Sequence, residues 1–131
     1  MIDEQQIRKD AKAAVTRFAL LSGMGAEFGF NRASVAWVET FIENQRLRED
    51  LTQADIDALT QFIGAFLGEC VIHSYGGNWQ NHEGASGIFF SASSAAFPFS
   101  KVRKQFENSV RGGDSILGFF DAIPEVLLKK S

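Results

Sequence analysis

The sequence predicts an α+β domain: an N-terminal helical layer of three helices, a small antiparallel sheet, and two C-terminal helices. Three observations carry this expectation. As far as Tyr75, apolar residues recur at spacings of three and four, the period of a helix with one buried face. Over residues 78–97 the period shortens, and glycine, serine and alanine gather among phenylalanines, as in short strands joined by turns. From Lys101 the helical period returns, broken by Gly112-Gly113 and Pro124. A length of 131 residues suits a single domain over 1–131 with a core of its own.

In the first helix, Ile7, Ala11, Ala14, Val15, Phe18 and Leu21 share one face, while Arg8, Lys9, Lys12 and Arg17 solvate the other. Asp3 and Glu4 fall in its first turn, at the positive end of the helix dipole. Ser22-Gly23-Met24-Gly25 ends it. That Gly-x-Gly follows no strand and lacks the Walker spacing and lysine, so it reads as a terminator and not a phosphate loop. Asn31 is the expected N-cap of the second helix. Its stripe is Val35, Val38, Phe41 and Ile42 with Trp37 on the flank, and Glu39, Glu43, Asn44, Arg46 and Arg48 form the outer face. The third helix begins at Thr52, where Thr52-x-x-Asp55 is a shortened capping box. Its stripe is Ile56, Leu59, Ile63, Phe66, Leu67 and Cys70. Gly64 and Gly68 each weaken this helix by about 1 kcal/mol relative to alanine. Close packing is the expected return, with space beneath a ligand as the alternative. Tyr75-Gly76-Gly77-Asn78 is a strong stop.

Two strands follow at 78–82 and 86–91, joined by a turn around Glu83-Gly84-Ala85. A third, over 95–97, closes before Pro98, which cannot donate to a ladder. Ser100 is the expected cap of a helix over 101–108 with Val102 and Phe106 inward. Asp114 is the expected cap of the last helix, which carries Ile116, Leu117, Phe119, Phe120 and Ile123. Pro124 starts a new turn or kinks this helix, with Val126, Leu127 and Leu128 docking beyond it.

Composition excludes several function classes. An apolar fraction of 45% and a charged fraction of 22% are those of a folded protein. A formal charge of −3 leaves no basic footprint for nucleic acid. One cysteine makes no internal disulfide, which suits a reducing compartment. The start Met1-Ile2-Asp3-Glu4 is acidic, unlike a secretory signal. The apolar stretch 62–72 is broken by Gly64, Gly68 and Glu69 and is shorter than the about 20 residues a bilayer requires. A soluble, cytoplasmic protein without membrane contact is the expectation.

Cys70 sits on the buried stripe, where a thiol is inert, and no local signature supports a dyad with His82. Glu69 and His73 are spaced i,i+4 and hence adjacent on a helix. His82 or Glu83, folding back past the glycine turn, would be needed to complete a metal site. A solvated Glu-His pair is the better account, and no cofactor is expected. Ser91, Ser93, Ser94 and Ser100 lack a Gly-x-Ser-x-Gly elbow. Lys101, Arg103, Lys104 and Arg111 read as a solvated helix face.

The composition carries one oddity, 13 phenylalanines against a single tyrosine. Most fall on helical stripes, but Phe89, Phe90, Phe97 and Phe99 gather beside Gly76-Gly77 and Trp79. Strand alternation sends Phe89 and Phe90 to opposite faces. One face therefore meets the helices, and the other meets closing segments, a partner chain or water. The candidate binding residues are Trp79, as an aromatic anchor, with Gly76, Gly77, Phe97 and Phe99.

Three segments carry a resemblance: Phe66-Leu67-Gly68-Glu69, then Tyr75-Gly76-Gly77-x-Trp79, then Phe97-Pro98-Phe99-x-Lys101-Val102-x-Lys104-x-x-Glu107-Asn108. Over about residues 55–121 the chain resembles a group of small bacterial proteins, the domain-of-unknown-function family 3806. The resemblance implies a bacterial origin and an α+β fold, and it transfers no catalytic residue or cofactor. The expected function is a non-enzymatic, protein-binding or accessory (immunity-like) module with a protein partner or a homodimer. The alternatives are a metal-dependent or hydrolytic enzyme using Glu69, His73 and His82, or a binder of small apolar ligands beneath Gly64 and Gly68.

Overall fold

The first helix, α1 (Glu4–Ser22), is set at both ends by local chemistry. The Asp3 carboxylate accepts from the Gln5 N–H, and Gly23, at φ 73°, closes the last turn in the left-handed region. The structure is a computed structural model and describes residues 3–128. Ile7, Ala11, Ala14 and Phe18 are buried as expected, whereas Leu21 is exposed because it lies in the final turn, where the chain leaves the core. Asp10 was not on the expected buried face, yet it is buried. It accepts from Gln6 at 2.8 Å and, across to the third helix, from Gln61 at 3.2 Å.

Helix α2 (Arg32–Arg46) starts on Asn31, whose side chain accepts from the Ser34 N–H. Helix α3 (Gln53–Tyr75) starts on the Thr52–Asp55 capping box, with both reciprocal bonds formed. From Ile63 to Val71 every residue of α3 is buried, so this helix forms the centre of the molecule and not one amphipathic layer of it. By length and composition α3 is the one described helix able to cross a bilayer, a reading that the shorter stretch 62–72 did not suggest. Its most apolar window is 56% buried inside the protein, which is the use a core helix makes of such a sequence.

The sheet has the order β1 (Asn78–His82), β2 (Ala85–Ser91), β3 (Ser94–Ala96), antiparallel throughout. Glu83 and Gly84 form the first turn at φ 51° and 83°, the pair of left-handed conformations that a two-residue hairpin requires. Trp79 pairs with Ile88 and Asn78 with Phe89, which turns Trp79 and Ile88 toward the helices. The third strand lies one residue earlier than expected and ends at Ala96. Helix α4 (Pro98–Asn108) then begins at Pro98 with Phe97 as N-cap, so Ser100 lies inside the helix and does not cap it. Proline fits here because its fixed φ suits the first helical position, where an N–H would go unpaired.

Helix α5 (Ile116–Ile123) is capped by Ser115, whose Oγ accepts from the Gly118 N–H. Asp114, the expected cap, is drawn away to Lys101 and Asn108, each at 2.9 Å. Pro124 opens the chain into a single wide π-type turn, Pro124–Leu128. Arg32 binds Asp121 through two bonds of 2.7 and 2.8 Å and ties the start of α2 to α5.

Glu39 and Glu43 depart from their expected outer face. They enter a polar seam where α2 meets α4 and α5. Glu39 accepts from the Ser115 hydroxyl and, at 3.1 Å, from the Leu117 N–H. The fully buried Gln105 donates to Glu43 at 2.9 Å and to the Glu39 carbonyl at 3.1 Å, and accepts from the Ile116 N–H at 3.0 Å. Ser109 donates to Glu43 at 2.6 Å and holds a left-handed φ of 70°. Burial pushes the Glu43 carboxyl up, but the bonds from Ser109 and Gln105 and the nearby Arg46 charge outweigh it and hold the group below the ordinary range.

Candidate functional site

Trp79 is 7% exposed, so it does not present the aromatic anchor expected of it. Its indole Nε1–H donates to the buried Glu69 carboxylate at 2.8 Å. The ring lies in the notch left by Gly68, where a Cβ would stand 2.2 Å from it. Phe99 fills the neighbouring notch at Gly64, 2.3 Å from the corresponding Cβ position, and the two rings lie 5.7 Å apart. The glycines of α3 thus do serve close packing, against side-chain rings. The room for a ligand envisaged beneath them is taken by Trp79 and Phe99.

The glycine turn is structural in the same sense. Gly76 and Gly77 stand at φ 87° and 94°, where an L side chain is strained. Gly77 also abuts Ile88 and Phe90, with a Cβ position only 2.6 Å from Ile88. On the other face of the sheet, Phe97 crosses Gly87 and meets Phe89 edge-on, with ring centres 6.2 Å apart. Phe89 and Phe90 therefore divide between the two faces, as alternation requires.

The three weak metal candidates are not brought together. Glu69 is engaged with Trp79, so the expected solvated pair with His73 does not form. The His73 ring instead lies against Phe30 at 4.8 Å. His82 is exposed at the hairpin, 3.9 Å from Glu83. Among the described residues no group of three His, Cys, Asp or Glu side chains could hold a metal ion. Cys70 is buried; burial and the neighbouring Glu69 charge push its thiol well above the ordinary value.

Two grooves open on the surface of the described residues. The first, about 740 Å³, opens between the start of α4 and the C-terminal turn. Phe97, Phe99, Phe119 and Ile123 give it an apolar lining, with Lys101 and Lys104 beside them. Lys101 is paired with Asp114 at 2.9 Å. Hydrogen bonds from Lys101 and Asn108 hold the Asp114 carboxyl below its ordinary range, and the Lys104 charge adds to this. Lys104 itself is exposed and makes no ion pair among the described residues. Of the sequence-nominated residues, Phe97 and Phe99 line this groove; Trp79, Gly76 and Gly77 do not.

The second groove, about 920 Å³, lies between α1 and α3 with the end of α2 beneath. Its rim carries Leu20, Leu21 and Phe62, which are 81%, 59% and 40% exposed. Sequence reasoning missed it. The available signal was the Leu20-Leu21 pair, since one helical stripe takes one of two consecutive leucines into a core but not both. Phe62 lies one residue before Ile63 of the buried stripe and lines the groove together with Leu59. Gln61 faces the first groove and Phe62 the second, so the two flank α3.

Comparison with protein-family models, with curated proteins and with solved structures gives no match, so the resemblance noted above rests on its motifs alone.

Proposed function

We propose that the protein is a non-enzymatic binding module whose first groove takes a short apolar segment of a protein partner that also carries a carboxylate. The observation behind this reading is the composition of the groove: rings from the β3–α4 junction and α5 line it, and its cations, Lys101 and Lys104, lie together on α4. An apolar side chain gains by leaving water there. The exposed ammonium of Lys104 favours an acidic neighbour of that side chain, at the modest strength of a rim charge. A small amphiphile is the second reading, favoured by the volume of about 740 Å³, within the range of small-molecule sites.

The test is selection from a displayed peptide library against the wild type, repeated on Ala122→Trp, which fills the groove, and on Lys104→Glu. The expected result is an apolar consensus with Asp or Glu close by, lost on Ala122→Trp and turned toward basic residues on Lys104→Glu. Enrichment that ignores both substitutions, or none at all, overturns the peptide reading. Enhanced fluorescence of anilinonaphthalene sulfonate that Ala122→Trp abolishes, without peptide enrichment, selects the amphiphile instead.

A further inference from the structure

We infer that the partner segment taken by the first groove is an extended strand, which continues the line of β3 and pairs its main chain with Ser86. The inference rests on the function proposed above and adds the form in which the peptide binds. The two-residue turn Glu83-Gly84 makes His82 and Ala85 a hydrogen-bonded pair. Antiparallel ladders alternate, so Gly87 and Phe89 bond to β1 as well, while Ser86 and Ile88 turn their N–H and C=O toward the side of β3. Ile88 finds Ala96 there. In the same register Ser86 would face Pro98, which has no N–H and is already the first residue of α4. β3 therefore stops opposite Ile88 and leaves the edge of β2 vacant at Ser86.

Ser86 is nevertheless only 7% exposed, and among the described residues its hydroxyl has no hydrogen-bond partner either. Polar groups buried to this degree are as a rule paired, so the vacancy calls for a partner from outside the chain. The first groove reaches this place: Gly84, Ala85 and Ser86 line it together with Ala96 and Phe97. A donor and an acceptor of one residue thus stand beside the apolar rings of the groove. A single peptide residue in strand conformation, running antiparallel to β2, supplies the matching acceptor and donor at once. Alternation sends its side chain to the face that Ser86 shares with Ile88, toward the helices, and turns the N–H groups of its two neighbours away from β2. The alkyl chain of a small amphiphile offers no such pair and would leave the Ser86 groups unmatched, which favours the peptide.

The experiment is amide hydrogen exchange of the full chain at residue resolution, alone and saturated with the synthetic consensus peptide enriched on the wild type. In the free chain the Ser86 amide should exchange at least about tenfold faster than those of Gly87 and Ile88, its bonded neighbours. The peptide should slow it at least about tenfold. N-methylation at one peptide position should raise the dissociation constant at least about tenfold, and at the position on either side by no more than about twofold. A Ser86 amide that exchanges as slowly as that of Ile88 in the free chain overturns the inference, since its bond would already be made within the chain, and leaves the groove reading standing. Enrichment that is lost on Ala122→Trp, with Ser86 unprotected or with several consecutive N-methyl positions harmful, also overturns it: the groove would then bind its peptide as a helix. Absence of any enriched peptide removes the proposed function and this inference with it.

Discussion

Gly68 shows how two opposing terms are settled at one residue. Alanine there gains about 1 kcal/mol of helix propensity. Its Cβ would stand 2.2 Å from the Trp79 ring, which cannot yield because its N–H is tied to Glu69. Overpacking of a buried site costs typically about 1–3 kcal/mol, and the fixed ring places this one at the upper end. Gly68→Ala should therefore lower the urea midpoint by the equivalent of about 2 kcal/mol. Gly64→Ala should cost less, because the half-buried Phe99 can swing toward the first groove. An unchanged midpoint for Gly68→Ala would remove the ring-in-notch account. The sequence could say that these glycines serve close packing. It could not say what packs, since the rings arrive from Trp79 and Phe99, across a hairpin whose register is set only in three dimensions.

Among the elements, the α2–α4–α5 seam depends on Glu43 remaining charged. Its carboxyl is held below the ordinary value in the folded chain, so the folded state binds its proton less readily than the unfolded one. The stability this contributes is present in full above the ordinary glutamate range and is lost as pH falls through the lowered folded value. Glu43→Gln should lower the melting temperature at neutral pH and flatten the acid limb of a plot of melting temperature against pH. Parallel curves for the two proteins would contradict the assignment. Legibility at this scale divides along locality. Asn31, Thr52–Asp55 and Glu83-Gly84 are neighbours of the groups they serve, and their effects could be read from sequence. The choice of Ser115 over Asp114 as cap could not, because Lys101 on another helix decides it. Nor could the inward turn of Glu39 and Glu43, since charges on a helix face water by default and these have partners about 60 or more positions away.

For the whole molecule, the α+β class and the order of elements were legible, because periodicity and glycine turns are local signals that add along the chain. The grooves were not, since each forms where elements from distant parts of the sequence diverge and leave apolar side chains uncovered. The helix that separates those grooves also contains Cys70, the single thiol, with no exposed surface. α3 packs against α1, α2, α4, α5 and β2, so it cannot bare that sulfur without parting from most of its neighbours. Cys70 is thus a built-in clock for opening of the core. A thiol reagent should label it in native buffer more slowly than in denaturant, by a factor that approaches the unfolding equilibrium constant measured in urea. Rapid native labelling would reveal a partial opening around α3 far less costly than global unfolding. Gly68→Ala should quicken this clock by the ratio of unfolding constants it produces, about thirtyfold for 2 kcal/mol, so one reagent reads the packing of one glycine through the breathing of the entire chain.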